Sequence, residues 1–534
     1  MRLFARYSIT LLVLALLTSL TASPASAAAA APAAVSGLAS AMHPVKVRVV
    51  GRDRAGHVTI QVSAVLLRWT GETYRTFGGQ SVTVLPGSYL VGADVPTGTA
   101  SQSLVVRRVT IRKNETITMD AAHGRLVRVT LTGVRAVQSA IAVSACLQNS
   151  GNDVIPATAG GGAGVKLYAV PFRSASVRFS YQAAWQGTGG VGYNAAGSAA
   201  GGIPARLGYR AAASHLAGLA IAVRAGVNPA TSIRWSLTPG NFYQSLCSYG
   251  GVGGQVSEPF TTTQYVTPGL WTTNVETDYQ IYPTGFNYLV SHFAAGHRYR
   301  LAFEAATAGP GTNFPDVNGN TLRYNATDLF DLPGIPLGGD QCCARSVVLV
   351  RIGGHVVDRA RLDEWRGRSY FQKVLAKAGW YTFDLTGVRR NPHGSEPADM
   401  LSTRVTLSWR FHVTPVPPAG NPHEIPVTVT TYEPRGLSLD NQAAPGATTT
   451  VEFQVLRAGM TGDPAVKYAL KSVRVLASFD GGRTWRSLLV SRRHGFWLTT
   501  VHDPASGYVT LRSVVTDVHG DRTTQTIYRA YAIG

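Results

Sequence analysis

From Pro44 to about Gly124 apolar and polar residues alternate along the chain. Val45, Val47 and Val49 fall on one side of an extended segment and Lys46 and Arg48 on the other, the pattern of a strand with one buried face. The stretches His57 to Trp69, Gln80 to Val84, Tyr89 to Val95, Leu104 to Ile111 and Glu115 to Met119 repeat it between Gly and Pro signals, which predicts a small β-sandwich over 44–124. Over 125–297 the pattern weakens. Leu126 to Leu131 and Ser176 to Tyr181 read as strands, whereas the Gly/Ala-rich run Gly187 to Gly202 has too little bulk for a core strand and predicts a long surface loop. Alternation returns over 298–414, at Tyr299 to Phe303, Ser346 to Ile352, Trp380 to Leu385 and Arg404 to Val413. Between Arg359 and Ala376, Leu362, Trp365, Phe371, Val374 and Leu375 partly match helical spacing, with Gly367 interrupting it. Pro415, Pro417, Pro418 and Pro422 mark a linker over 415–424. Seven short strands separated by turn signals over 425–534 predict an immunoglobulin-like sandwich. The expected fold class is all-β, as tandem β-sandwich domains.

Composition adds a compartment and a charge. Arg2 and Arg6, the apolar run Ile9 to Leu20 and the small-x-small Ala25-Ser26-Ala27 predict a secretory signal over 1–27, with a linker over 28–43. The apolar run is shorter than the roughly 20 residues of a bilayer span, and no later segment reaches that length, so no membrane span is expected after cleavage. Lys+Arg 49 against Asp+Glu 29 gives a formal net charge of +20, which favours an extracellular polyanion or glycan as partner, such as teichoic acid or an acidic polysaccharide. Basic residues nevertheless form no run longer than Arg389-Arg390 or Arg492-Arg493, so the charge reads as diffuse and no specific nucleic-acid site is expected. Cys146, Cys247, Cys342 and Cys343 are disulfide candidates in an oxidising compartment. Cys342 and Cys343 could bridge each other only through a strained ring; pairing of Cys146 and Cys247 with them, or free or intermolecular Cys342 and Cys343, stay open. No CxxC spacing supplies a zinc site.

Ser478-Phe479-Asp480-Gly481-Gly482-Arg483-Thr484-Trp485 fits the Asp-box pattern S-x-D-x-G-x-T-W at every defined position. Its chemistry is local. The Asp480 carboxylate can accept backbone N–H bonds across a hairpin turn that Ser478 and Thr484 flank, Gly482 can take positive φ, and Trp485 can pack beneath the turn. One copy without a repeat argues against a propeller. In Leu85-Pro86-Gly87-Ser88-Tyr89, Pro fixes φ, Gly is expected to take the left-handed position and the Tyr hydroxyl can return to the backbone at the corner. On that motif the 44–124 segment resembles the carboxypeptidase regulatory-like, transthyretin-like modules of secreted proteins, which are non-catalytic. Ala295-Gly296-His297-Arg298-Tyr299, Leu401-Ser402-Thr403-Arg404-Val405 with Ser408-Trp409, Ser472-Val473-Arg474-Val475 running into the Asp-box, Tyr508 to Arg512, Thr516-Asp517 and Gln525 to Tyr531 are similar to the C-terminal, non-catalytic β-domains of secreted actinobacterial subtilisin-like (S8) serine peptidases. That resemblance covers about 296–534 and implies an appendage without its peptidase.

Direct tests for an enzyme fail on the residues. The D-[ST]-G, HGT and GTS-x-A settings of a subtilisin triad are missing, and His393-Gly394-Ser395 lies in a Pro-flanked loop. The elbow G-x-S-x-G has Leu246 at its first position, and His423-Glu424 has Val427 where a zinc peptidase needs its second His. Gly187 to Gly192 resembles a dinucleotide loop, but the chain has no acid between it and Glu258. Carboxylate pairs for glycoside chemistry carry no spacing signature, which leaves Asp363 with Glu364, Glu276 with Asp278, and Asp328, Asp331 and Asp340 as candidates. The last three are also the calcium candidates; no other cofactor is expected. Trp185, Trp235 and Trp271 are candidate sugar platforms, with core packing the competing role. The expected function is a secreted, non-catalytic binding or structural protein, with a glycoside hydrolase, or a partner or inhibitor of a secreted peptidase, as alternatives.

Overall fold

The computed structural model describes residues 43–225, 232–240, 252–279, 282–312, 315–318, 320–331, 344–389, 400–413, 427–458, 469–493 and 495–534. The expected signal at 1–27, linker residues 28–42, the linker at 415–424 and Cys247, Cys342 and Cys343 lie outside them. Period-two patterning gives strands almost throughout: the helical elements among the described residues are short 3₁₀ turns such as Thr188–Gly190 and Glu364–Arg366. Pro44–Gly534 is all-β, a tandem of β-sandwiches whose neighbours share sheets.

A four-stranded sheet that includes Val45–Arg52 and Glu115–Asp120 packs on a six-stranded sheet centred on Gly87–Thr97 and Ser101–Ile111. Val47, Val49, Leu66, Tyr89, Val91 and Ile117 fill the space between. The Tyr89 hydroxyl donates to the Leu85 carbonyl at 2.5 Å. The same corner recurs where the Trp271 indole N–H donates to the Thr267 carbonyl at 2.7 Å and the Tyr381 hydroxyl to the Lys377 carbonyl at 3.0 Å. Each places a glycine two residues before an aromatic that ties a strand start to its preceding turn.

Gly87–Thr97 departs from the half-buried strand that alternation predicts. Tyr89, Val91 and Ala93 face the first core, while Leu90 faces a second core with Leu104, Val106, Val143 and Ala157. A Cβ on Gly92 would overlap that of Ala157, so glycine lets the two layers meet. The strand is therefore covered on both sides, which explains its continuous apolar run. By alternation Asp94 shares the side of Leu90 and Gly92, and its Oδ1 has no hydrogen-bond partner among the described residues. Burial alone pushes its carboxyl up to about 7. The folded state thus holds this proton more tightly than the unfolded chain. The contribution of this group to stability is full below about pH 4 and falls as pH rises towards 7, by on the order of 4 kcal/mol. Asp94→Asn is expected to unfold at higher denaturant than the parent at pH 8 and at the same denaturant at pH 4; equal curves at both values would remove Asp94 from the pH response.

The Gly/Ala-rich run is not the expected loop. Gly192–Ala199 pairs antiparallel with Val177–Gly187 inside a nine-stranded sheet. Bulk comes from the partner strand: Tyr181 lies opposite Gly197, a Cβ there would approach its ring to 2.7 Å, and the ring stacks on Tyr209 at 3.9 Å. The segment with partial helical spacing is also extended. His355–Asp363 and Tyr370–Val374 are strands of different sheets, joined through the Glu364–Arg366 turn and a left-handed Gly367 at φ 66°. Leu362, Phe371 and Leu375 are buried because two strands present them to one core, which mimics one helical face.

The expected boundaries at 297/298 and 415–424 are crossed by pairing. Arg298–Phe303 runs parallel to Ala217–Val223 in the glycine-rich sheet, and Arg404–Val413 pairs with Arg522–Ile533. A second nine-stranded sheet therefore runs from His355–Asp363 through Ala344–Ile352, Gly379–Arg389, Arg404–Val413, Arg522–Ile533, Gly507–Asp517 and Leu470–Ser478 to Arg486–Leu488. Its inner side carries Phe383, Leu407, Trp409 and Leu511 in one core with Tyr324, Phe371, Val429 and Phe453 from two smaller sheets. Phe383 packs 5.7 Å from Tyr324, 5.8 Å from Phe371 and 5.6 Å from Trp409. Asn441, fully buried at φ 54°, pins the neighbouring junction. Its Oδ1 accepts from the Ala306 N–H at 2.9 Å, and its Nδ2 donates to the carbonyls of Ala225 and Glu304, both at 2.8 Å.

Candidate functional site

Residues directly opposite in antiparallel strands share a face, so the register of the arginine-bearing sheet fixes its outer side. One row runs Asp363, Arg345, Val388, Arg404, Tyr528. The next runs Arg361, Val347, Thr386, Thr406, Thr526, Arg512, Leu476, and the third Arg359, Leu349, Asp384, Ser408, Thr524, Val514, Arg474. A fourth runs Arg351, Thr382, Arg410, Arg522, Thr516, and Trp380 with His412 closes the edge. Nine arginines meet two aspartates on this side. Arg345, Arg359, Arg361, Arg404, Arg410, Arg474 and Arg522 are exposed. Asp363 pairs with Arg345 at 3.0 Å and Asp384 with Arg351, leaving most of the positive charge uncompensated among the described residues.

Three of the guanidinium groups are held flat on rings: Arg404 over Tyr528 at 3.6 Å, Arg410 over Trp380 at 3.9 Å and Arg512 over Trp485 at 3.9 Å. Such stacking fixes the plane of the group while its N–H edge stays available to an oxyanion. The Asp-box positions one of these rings. Asp480 accepts from the Arg483 and Thr484 N–H groups at 3.0 and 2.9 Å, from the Thr484 hydroxyl at 2.6 Å and from the Ser478 hydroxyl at 2.7 Å. Those bonds, led by the Thr484 hydroxyl, hold its carboxyl well below the usual range. Gly482 takes φ 90°, and the Trp485 indole donates to its carbonyl at 3.0 Å. Trp485 then underlies Arg512, whose Nε donates to Thr526 at 2.9 Å. Chemically, the face can bind extended anions by charge and bidentate hydrogen bonding.

No family model matches the chain, and no curated protein sequence matches it. Among solved structures, the Bacillus anthracis TIE protein aligns at 10% identity over 49% of this chain and 50% of that one, with a TM-score of 0.13. BcpA, the major pilin subunit of Bacillus cereus, aligns at 7% identity over 49% of this chain and 99% of that one, with a TM-score of 0.13. Escherichia coli alpha-2-macroglobulin activated by porcine elastase aligns at 9% identity over 89% of this chain and 50% of that one, with a TM-score of 0.14. The chain thus spans about half the length of the TIE protein and of the macroglobulin.

Among the described residues, the carboxylates singled out from sequence are held by separate partners. Asp363 pairs with Arg345, Glu364 accepts from the Ala344 N–H at 2.9 Å, and Glu276 pairs with Arg234 at 3.0 Å. The side chains of Asp278 and Asp328, and all of Asp340, lie outside the described residues, while the Asp331 carbonyl accepts from Gly309. Among the described residues no group of three His, Cys, Asp or Glu could hold a metal. An acid pair that sequence did not flag is Glu433 opposite Glu452. Arg435 joins both, at 2.5 Å to Glu433, so the space between them is filled by a guanidinium. Burial raises the Glu433 carboxyl, Arg435 opposes the rise and Glu452 adds to it. Trp185 and Trp271 belong to cores at 6% and 1% exposure; Trp235, at 8%, also lines a cleft. Cys146 is disulfide-bonded, its partner lying outside the described residues. The arginine face itself had a faint sequence signal: even spacing within strands, as in Arg359 with Arg361 and Arg404 with Arg410.

Proposed function

We propose that this chain is a secreted, non-catalytic protein that binds a linear anionic polymer of the cell envelope, of teichoic-acid or acidic-polysaccharide type, on the arginine face. The observation that carries the reading is the gathering of nine arginines, three of them stacked on rings, over one open sheet side with two acids. A flat, repetitive face suits a repetitive ligand better than a compact one, and the export pattern at 1–27 supports an extracellular setting. The appendage-like resemblance fits the same role, a domain set that holds a secreted product at the envelope.

Immobilised polyglycerol phosphate tests the reading, with dextran as the neutral control. Binding to the phosphate polymer is expected to weaken linearly in log–log form as salt rises, with a slope of about 0.7 to 0.9 per anionic contact, and dextran is expected not to bind. Equal retention on both polymers, or a salt-independent affinity, would exclude the arginine face as the binding element.

A further inference from the structure

The Asp-box turn reaches a second ring besides Trp485. Its strand ends at Ser478, which lies opposite Thr510 on the outer side of the arginine-bearing sheet, two residues along from the pair Leu476 and Arg512. Ser478 and Thr510 are only 1% and 2% exposed, so the turn folds back over this part of the sheet. The Ser478 hydroxyl oxygen accepts from the Gly482 N–H at 2.8 Å and draws the turn down. Gly482, at φ 90°, then stands between two rings: a Cβ there would lie 3.2 Å from Trp485 and 3.2 Å from Tyr528. Tyr528 belongs to a different strand, Arg522–Ile533, and lies directly opposite Arg404.

One turn thus sets both rings, and each ring carries a guanidinium, Arg404 on Tyr528 at 3.6 Å and Arg512 on Trp485 at 3.9 Å. Thr526, itself 1% exposed, takes the Arg512 Nε–H at 2.9 Å and leaves the terminal N–H groups of that fork for a ligand. A guanidinium held in this way has given up its side-chain freedom before a ligand arrives, so less is lost on binding. Asp480 points to the same role. Its negative charge lies beside a face that holds a polyanion, which by charge alone weakens binding, and its oxygens are engaged within the turn by Arg483, Thr484 and Ser478. Resting on the polymer-binding reading above, we infer that the Asp-box turn is the positioning element of that site: through Tyr528 and Trp485 it holds Arg404 and Arg512 as one oriented pair. Arg410, whose ring Trp380 comes from Gly379–Arg389, serves as the internal reference.

Polyglycerol phosphate is titrated into the full chain over a range of salt. Asp480→Ala removes a negative charge beside the site, so charge alone calls for tighter binding. Positioning calls for the opposite sign: affinity lower by about tenfold with the salt slope kept, since no arginine is lost. Arg512→Lys, which keeps the charge and loses the planar fork, is expected to weaken the parent by about fivefold and to cost nothing further in the Asp480→Ala background. Arg410→Lys is expected to cost the same in both backgrounds. Trp485→Leu, run through the same cycle, decides the matter should urea unfolding show that Asp480→Ala does not fold. Binding by Asp480→Ala as tight as the parent's or tighter, or an undiminished effect of Arg512→Lys in that background, would overturn the positioning role and leave the arginine face as the binding element. A parent that does not bind the polymer would overturn the polymer reading itself, and this role with it.

Discussion

Reversing Arg404, Arg410 and Arg522 to glutamate together is expected to lower affinity for polyglycerol phosphate on the order of 100-fold at moderate salt, and to reduce the salt slope by about 2 to 3. These side chains stand on adjacent strands, Arg410 directly opposite Arg522 and Arg404 opposite Tyr528, so an extended polymer crossing the sheet meets all three. All three are exposed, and Arg404 and Arg410 rest on rings rather than in ion pairs, so their replacement leaves no buried charge unpaired. The fold is expected to persist, with unchanged far-ultraviolet dichroism. Reversing the equally exposed Arg112, Lys113 and Arg125 changes net charge by the same amount elsewhere on the molecule. If that control loses as much affinity as the first variant, binding follows total charge and the face has no special role.

Asn441→Ala is expected to destabilise the fold by about 4 kcal/mol. Three bonds at 2.8 to 2.9 Å disappear in a fully buried site, leaving the Ala306 N–H and the carbonyls of Ala225 and Glu304 to find other partners. Each net loss is about 1 kcal/mol, with roughly 1 kcal/mol more for placing alanine at positive φ, where asparagine is tolerated. Urea unfolding measures it directly. Asn441→Gly, which relieves the backbone but also loses the bonds, is expected to recover about 1 kcal/mol of the loss. A change below about 1 kcal/mol for the alanine variant would mean that the junction is held by the surrounding apolar core instead.

Strands were legible where one face is wet. Val45 to Val49 and Arg404 to Val413 alternate in sequence and in burial alike. Legibility failed where a local signal served a distant partner. Gly192–Ala199 lacks bulk of its own because Tyr181 and Gln264 supply it from other strands, so composition read as a loop. Leu362, Phe371 and Leu375 come near helical spacing because strands in two sheets turn towards one core. Proline-rich stretches looked like domain borders, yet hydrogen bonding between Arg404–Val413 and Arg522–Ile533 ignores them. The Asp-box was readable to the atom, since every bond in it is local, but its service to Arg512 through Trp485 depends on a strand brought alongside. The arginine face was the least visible feature: its members are dispersed from Arg345 to Arg522, and only the register brings them together.

That register sets a timetable. The strand Arg522–Ile533 lies in the interior of its sheet, flanked by Arg404–Val413 and Gly507–Asp517. Until it has emerged and docked, Arg404 and Arg410 have neither Tyr528 nor Arg522 beside them, and the row that would grip a polymer does not exist. A chain in which this strand has yet to dock thus lacks the arginine row, and completes it only when Arg522–Ile533 joins the sheet.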